Sequence, residues 1–251
     1  MGKNKLAKFA EMELLDNVFQ PRNEEIFRKE YRLKGRWHES VFGNRNPLVL
    51  EIGCGKGEYS VGLGRLFPEK NFIGIDIKGA RMWHGATAAK EQHLFNVAFV
   101  RMHAEMLESV FAPGEVSEIW ITFPDPQMAK ARKRLTGTRF LSLYRRMLQA
   151  EGLVRLKTDS PFLYTYTAEL VRLNGLAVEA QTDDLYGSGL EERILGIKTF
   201  YEQQWLGRGK TIKYIAFRLS GREPLLEPEV KIEKDDYHSE ARYMGRNHTQ
   251  E

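Results

Sequence analysis

Cysteine is almost absent from this chain, with Cys54 alone among 251 residues. That excludes an internal disulfide and a cysteine-rich zinc cage, and suits a reducing compartment. Long apolar runs are missing as well. No stretch approaches the roughly 18 residues that cross a bilayer, and Met1 to Phe9 lacks the apolar core of a secretory signal. A soluble, cytoplasmic protein with no membrane partner and no metal is the expectation. Strong charge imbalance is lacking too: 38 basic and 34 acidic residues leave +4, a weak argument for an anionic partner. Its distribution argues harder. From Gln127 to Ala150 there is no acid, but seven basic residues (Lys130, Arg132, Lys133, Arg134, Arg139, Arg145 and Arg146). A solvated helix face mixes signs, so this segment is expected to meet a polyanion.

What the chain does have is alternation. A length of 251 residues at 42% hydrophobic content can bury one sizeable core with a small appendage. Residues 1–46 are basic and aromatic without a clear period; they read as an arm with a mobile first dozen residues and a helix over Glu24 to Arg36. From Pro47, strand-like runs alternate with amphipathic segments: strands at Leu48 to Ile52, Asn71 to Ile77, Val97 to Met102, Ser117 to Phe123 and Leu153 to Lys157. Helices are expected at Glu58 to Phe67, Gly79 to His93, Arg139 to Leu148 and Phe162 to Leu173. The fold class is therefore α/β, a doubly wound and mostly parallel sheet. Leu176 to Thr182 and Lys210 to Leu219 add two strands with no ordinary crossover helix between them, so an antiparallel closing pair completes seven. The body spans 47–220, and 221–251 reads as a charged, poorly ordered tail.

The body is organised around Leu48 to Gly57, L-V-L-E-I-G-C-G-K-G. An aliphatic run breaks at Glu51 into Gly53, Gly55 and Gly57, a turn that can bring bare backbone against a ligand. Nicotinamide, flavin and S-adenosylmethionine proteins all use such turns, so the flanking residues must discriminate. Where a dinucleotide fingerprint wants its third glycine this chain has Glu58, and Glu51 adds a second carboxylate that would oppose a pyrophosphate. S-adenosylmethionine, with an ammonium and a sulfonium, suits them better. Cys54 reads as a small residue packed between turn glycines, with a nucleophile as the alternative.

Asp76 ends the second strand at its carboxyl edge, where a carboxylate can accept both ribose hydroxyls. The third strand ends in Met102-His103-Ala104-Glu105, with His103 and the amide of Ala104 as candidates beside an adenine. The fourth ends in Thr122-Phe123-Pro124-Asp125-Pro126, where two prolines pin Asp125 next to the place of a reacting methyl.

Together these residues resemble the bacterial tRNA (guanine-N7-)-methyltransferases, over about Pro47 to Arg218. The resemblance rests on E-I-G-C-G-K-G, I-G-I-D at 73–76, F-P-D-P at 123–126 with its basic run, K-T-D at 157–159 and T-F-Y-E at 199–202. It implies a Rossmann-like fold, S-adenosylmethionine as cofactor, tRNA as partner and N7 of a variable-loop guanosine as methyl acceptor. Matched onto this chain, it assigns Glu51, Asp76 and Asp125 to the cofactor, with Asp125 also at the reaction centre. Asp159 and Thr199, Phe200, Tyr201 and Glu202 fall to guanosine and tRNA. This chain departs from the family pattern at His103, where the family has an acid, and after F-P-D-P, where Lys130 and then Arg132 stand in for a family lysine. Phosphate contacts are expected from Lys130, Arg132, Lys133 and Arg134, and from Lys3, Lys5 and Lys8 of the arm. Methylation of an exocyclic base nitrogen and a non-catalytic tRNA-binding relative are the alternatives.

Overall fold

The central strands, Leu48–Ile52, Asn71–Asp76, Val97–Arg101 and Val116–Thr122, form at aliphatic-rich runs and are buried on both faces. A computed structural model describes residues 2–190, 194–221 and 223–235. Its strands are Val18–Phe19 (β1), Leu48–Ile52 (β2), Asn71–Asp76 (β3), Val97–Arg101 (β4), Val116–Thr122 (β5), Leu148–Thr158 (β6), Val178–Thr182 (β7) and Lys213–Arg218 (β8). The helices are Gly2–Glu13 (α1), Asn23–Ile26 (α2), Glu58–Leu66 (α3), Gly79–Glu91 (α4), Leu107–Val110 (α5), Thr138–Arg145 (α6), Pro161–Leu173 (α7) and Phe200–Leu206 (α8).

Among the described residues the sheet has eight strands in the order β1-β4-β3-β2-β5-β6-β8-β7. All neighbours from β1 to β6 pair in parallel, whereas β8 lies antiparallel between β6 and β7. The order reverses between β2 and β5, and a cleft opens at the carboxyl ends of strands at such a reversal. Period-two alternation divides the interior. Leu48, Leu50 and Ile52 join the core beneath α6 and α7, while Val49 faces the opposite core with Tyr59, Phe99, Trp120 and Trp205. Glu51 sits opposite Gly74 on one neighbouring strand and Trp120 on the other.

The termini differ from the sequence-based expectation. Of the first dozen residues, expected to be mobile, those from Gly2 on belong to α1, which packs against α4, and Met12 is buried in the core. Val18 and Phe19 then extend the sheet by an eighth strand beside β4. The helix expected over Glu24 to Arg36 stops after Ile26. Ile26, Tyr31, Leu33 and Trp37 are all buried in one core, and their spacing of five, two and four does not repeat as one helix face. Trp37 donates its indole N–H to Val110 O (3.0 Å), fastening the arm to the body.

The tail expected to be poorly ordered is docked over residues 223–235; the rest of it lies outside the described residues. Leu225 is buried in the core, and Glu227 accepts from Thr138 (2.8 Å) on α6 and Tyr166 (2.6 Å) on α7. Asp235 accepts from Ser160, whose hydroxyl also caps α7 by accepting from Leu163 N.

Candidate active site

A cleft of about 940 Å³ opens at the carboxyl ends of β2, β3, β4 and β5, walled on its outer side by α8. The β2 turn forms its floor. Gly53, Gly55 and Gly57 all have positive φ (79°, 55° and 72°), which sends the chain sharply into α3. A side chain at Gly57 would lie 2.5 Å from the Phe99 ring, so this glycine is required by packing. At Gly55 a side chain would meet nothing within 4 Å, leaving open space above the turn for a ligand.

The turn's donors are directed inward. Gly53 N and Cys54 N both donate to Ile75 O (2.8 and 3.0 Å), Gly55 N to Asp76 Oδ2 (2.9 Å) and Gly57 N to Cys54 O (2.7 Å). With four N–H groups spent, little of the anion-binding nest that a pyrophosphate needs remains.

Beneath the turn, Glu51 is almost wholly buried. Oε2 accepts from Ser60 N (2.9 Å) and Ser60 Oγ (2.5 Å), and Oε1 from Thr122 Oγ1 (2.5 Å). Burial outweighs these bonds and, helped by the nearby Asp76 charge, pushes its pKa up to about 7. The same burial, with Glu51 and Asp76 beside it, holds the Cys54 thiol well above its ordinary range, which argues against a thiolate nucleophile.

Asp76 ties the turn to α4, with Oδ1 accepting from Lys78 N (2.8 Å). Each oxygen thus takes one backbone N–H and retains a lone pair toward the cleft. His103 is exposed and lines the cleft with Ala104 and Glu105.

The turn after β5 is strained on both sides of its aspartate. Phe123 and Gln127 have φ of 49° and 48°, a conformation that costs about 1–3 kcal/mol for such residues. Phe123 N donates to Lys157 O (2.8 Å), and Gln127 N donates to Asp125 Oδ1 (3.0 Å). Arg134 holds the far side through Gln127 O (3.3 Å) and Met128 O (2.8 Å), its guanidinium lying over the Phe162 and Tyr166 rings. Asp125 itself is exposed to the cleft.

Residues 45–215 match the sequence model of a family described as "Putative methyltransferase". Over 234 residues the chain is 60% identical to a tRNA (guanine-N(7)-)-methyltransferase of Porphyromonas gingivalis, covering 91% of this chain and 95% of that protein. It is 55% identical over 239 residues to one of Bacteroides fragilis, covering 95% of both. The chain belongs to the tRNA (guanine-N(7)-)-methyltransferase family. Among solved structures, the 16S rRNA methyltransferase KamB shares the fold with a TM-score of 0.56 at 14% identity, over 77% of this chain and 95% of that one. A 16S rRNA (adenine(1408)-N(1))-methyltransferase from Catenulisporales acidiphilia does so with a TM-score of 0.53 at 15% identity, over 77% and 97%.

Of the residues singled out from sequence, the cleft brings together Glu51, Gly53, Gly55, Asp76, His103, Ala104, Asp125, Thr199, Phe200 and Tyr201. Five others fall elsewhere. Lys130 and Arg132 are exposed beyond the lining, and Lys133 lines the cleft in their place. Asp159 is buried behind the β6 end and does not line it. Glu202 is fully buried, paired with Lys157 Nζ (2.8 Å), accepting from Tyr186 OH (2.5 Å) and capping Thr199 N (3.3 Å). Arg134, expected to face phosphate, is buried because two aromatic rings and two carbonyls receive it.

Glu58, noted for its charge alone, and several residues not noted at all also line the cleft. Glu58 Oε2 accepts from Phe200 N (3.0 Å), so the residue replacing a third glycine joins α3 to α8, and Lys56 Nζ sits 3.9 Å from the Phe200 ring centre. Gln204, Trp205 and Arg208 continue the α8 wall. Their signal was the three-to-four spacing from Tyr201. Among the described residues, no group of three or more His, Cys, Asp or Glu is placed to hold a metal, and no helix is long and apolar enough to cross a membrane.

Proposed function

We propose that this chain transfers a methyl group from S-adenosylmethionine to N7 of a guanosine in tRNA, in the variable loop, and works in the cytoplasm. The supporting observation is a single cleft in which an inward-bonded glycine turn, Asp76 and the pinned Asp125 converge, in a chain belonging to this family. S-adenosylmethionine, when bound, supplies a methyl group on a positively charged sulfur.

The residues fit that group. The open face of Gly55, with Gly53 beside it, would take its amino-acid portion, the free lone pairs of Asp76 its ribose hydroxyls, and His103 and Ala104 its adenine edge. Glu51 supplies negative potential beneath the turn. Guanine N7 has an in-plane lone pair, so no proton need be removed and no general base is required. The protein's work is to align the purine and to stabilise the positive charge it acquires. Asp125, fixed by two prolines and two strained neighbours, serves both ends. Lys130, Arg132 and Lys133 would contact phosphates and position the RNA without reading its sequence. Residues 47–220 carry the reaction, with the arm and the docked tail as supports.

Incubation with labelled S-adenosylmethionine and unmodified tRNA, followed by nucleoside analysis, tests this. Label in 7-methylguanosine, lost when the variable-loop guanosine is replaced, is the expected result. Label in another nucleoside, or binding of both ligands without transfer, would overturn it.

A further inference from the structure

We infer that Lys8, Lys56 and Arg81 form a second phosphate-binding rim, which holds the RNA backbone on the side of the cleft opposite the basic segment after Asp125; this deepens the proposed tRNA guanine-N7 reaction and rests on it. Three separate elements bring these cations together. Lys56 belongs to the β2 turn, Arg81 to the first turn of α4, and Lys8 to α1, which packs along α4. Close packing fixes the arrangement. A side chain at Gly85 of α4 would lie 2.6 Å from Lys56 O, so α4 is pressed against the turn that carries Lys56. Lys8 Nζ donates to Nε2 of His84 (2.9 Å), which stands three residues beyond Arg81 on α4.

The three charges have no acidic partner: among the described residues none of them joins an ion pair. Each is steadied by an aromatic ring instead. Lys56 Nζ stands 3.9 Å from the centre of the Phe200 ring, the Arg81 guanidinium 5.8 Å from that of Tyr201, and Lys8 Nζ 4.6 Å from that of Trp83. A ring face holds a cation without neutralising it or using up its N–H donors. Burial and the fields of Lys8 and Lys56 hold His84 below its ordinary pKa, so near neutral pH it accepts from Lys8 and adds no charge. Like charges gathered without an acid repel one another, and an anion relieves them.

The placement says which anion. Lys56, Arg81, Phe200 and Tyr201 all line the cleft, and cations interleaved with aromatic rings are what unstacked nucleotides meet. The basic segment after Asp125 arrives from the other face of the sheet. It leads into α6, whose Phe140 joins the core of Leu48 and Leu50, whereas Met82 of α4 joins that of Tyr59 and Phe99. A nucleotide whose base enters a cleft carries a phosphate on each side. Lys133 lines the cleft on one side and Lys56 and Arg81 on the other, so both phosphates are met. The carboxylate of S-adenosylmethionine is the other anion to enter this cleft, and the experiment separates the two.

The test measures tRNA dissociation constants between about 0.05 and about 0.2 M salt for the parent enzyme and two triple variants. One removes the charges (Lys8→Gln, Lys56→Gln, Arg81→Gln) and the other keeps them (Lys8→Arg, Lys56→Arg, Arg81→Lys). Three phosphate contacts at about 0.7–0.9 each amount to about two to three in the slope of log K against log salt. Over this range the charge-removing variant should therefore lose about twentyfold to fortyfold less affinity than the parent loses. The charge-keeping variant should retain the parent's slope, and S-adenosylmethionine affinity should be unchanged in both. A charge-removing variant with the parent's slope overturns the inference. Lost cofactor affinity with unchanged tRNA binding does so too, giving the cations to the cofactor's carboxylate. Equal loss of slope in the charge-keeping variant, with urea unfolding at lower concentration in both, also overturns it, giving the three side chains to the fold. A parent enzyme that binds no tRNA, or leaves its guanosine unmethylated, overturns the underlying reaction, a failure visible before any variant is compared.

Discussion

Glu51 offers the sharpest test, because the turn depends on a carboxyl group whose charge is conditional. The perturbation is Glu51→Gln, which keeps the shape and can still bond Ser60 and Thr122. The folded-state pKa of about 7 lies above the ordinary carboxyl value of 4.5, so the folded protein holds this proton more tightly than the unfolded chain. The contribution to stability is therefore full below about pH 4.5 and is withdrawn as pH rises to about 7. A difference of about 2.5 units at 1.36 kcal/mol each is about 3 kcal/mol lost by pH 8. Without ligand, Glu51→Gln should then exceed the parent by up to about 3 kcal/mol at pH 8, with the gap closing toward pH 5. Urea unfolding at the two pH values measures it.

Cofactor affinity should move the opposite way. A cationic ligand above Glu51 favours the ionised carboxylate and releases its proton, so affinity for S-adenosylmethionine weakens as pH falls below about 7, approaching tenfold per unit. Titration calorimetry from pH 5.5 to 8 reads this directly. Asp76, which faces Glu51, contributes to the same field and is unchanged in the variant. A Glu51→Gln protein with the parent's pH dependence of affinity would refute the reasoning, since the linked proton would then belong elsewhere.

Replacing Asp125 with Ala should cut methyl transfer about a hundredfold to a thousandfold while leaving the tRNA dissociation constant nearly unchanged; lost tRNA affinity with normal saturated turnover would contradict its place at the reaction centre. Replacing Lys130, Arg132 and Lys133 together by Ala should weaken tRNA binding and flatten the slope of log K against log salt by about two to three, with cofactor affinity intact. An unchanged slope would place the RNA surface elsewhere. Lys157→Met strands the Glu202 carboxylate in the interior and should cost about 3–5 kcal/mol in urea unfolding; a cost below about 1 kcal/mol would mean the buried pair does not hold α8.

The parallel body was legible because its signals are local. Aliphatic runs ending at Gly, Asp or Pro mark β2 to β5, and each begins and ends within one residue of its expected place. β6 begins at Leu148 rather than Leu153, because Leu148 pairs with Val116 across a register shift that only the partner strand determines. The arm was misread for a similar reason: its buried residues answer to a core built by chain far downstream. The lining of the cleft at the ends of β2, β3 and β5 was legible too, since turn glycines and strand-end carboxylates occupy positions that topology alone prescribes.

The substrate side was harder, because a motif marks residues that matter without saying which way they face. Thr199 to Glu202 carries the T-x-x-E spacing of a capping box, a sign that its carboxylate serves the helix. Arg134 stands in a basic run, yet two rings on α7 take it inward. The two cases differ in consequence. Turning Arg134 inward removes one charge from the surface of the basic segment and secures the Asp125 turn, but turning Glu202 inward determines which residues of α8 meet the cleft. Successive residues on a helix are about 100° apart, so rotating α8 by one position would expose Glu202 and carry Gln204 away from the cleft. The buried Lys157–Glu202 pair therefore sets which face α8 turns to the cleft, although neither residue lines it.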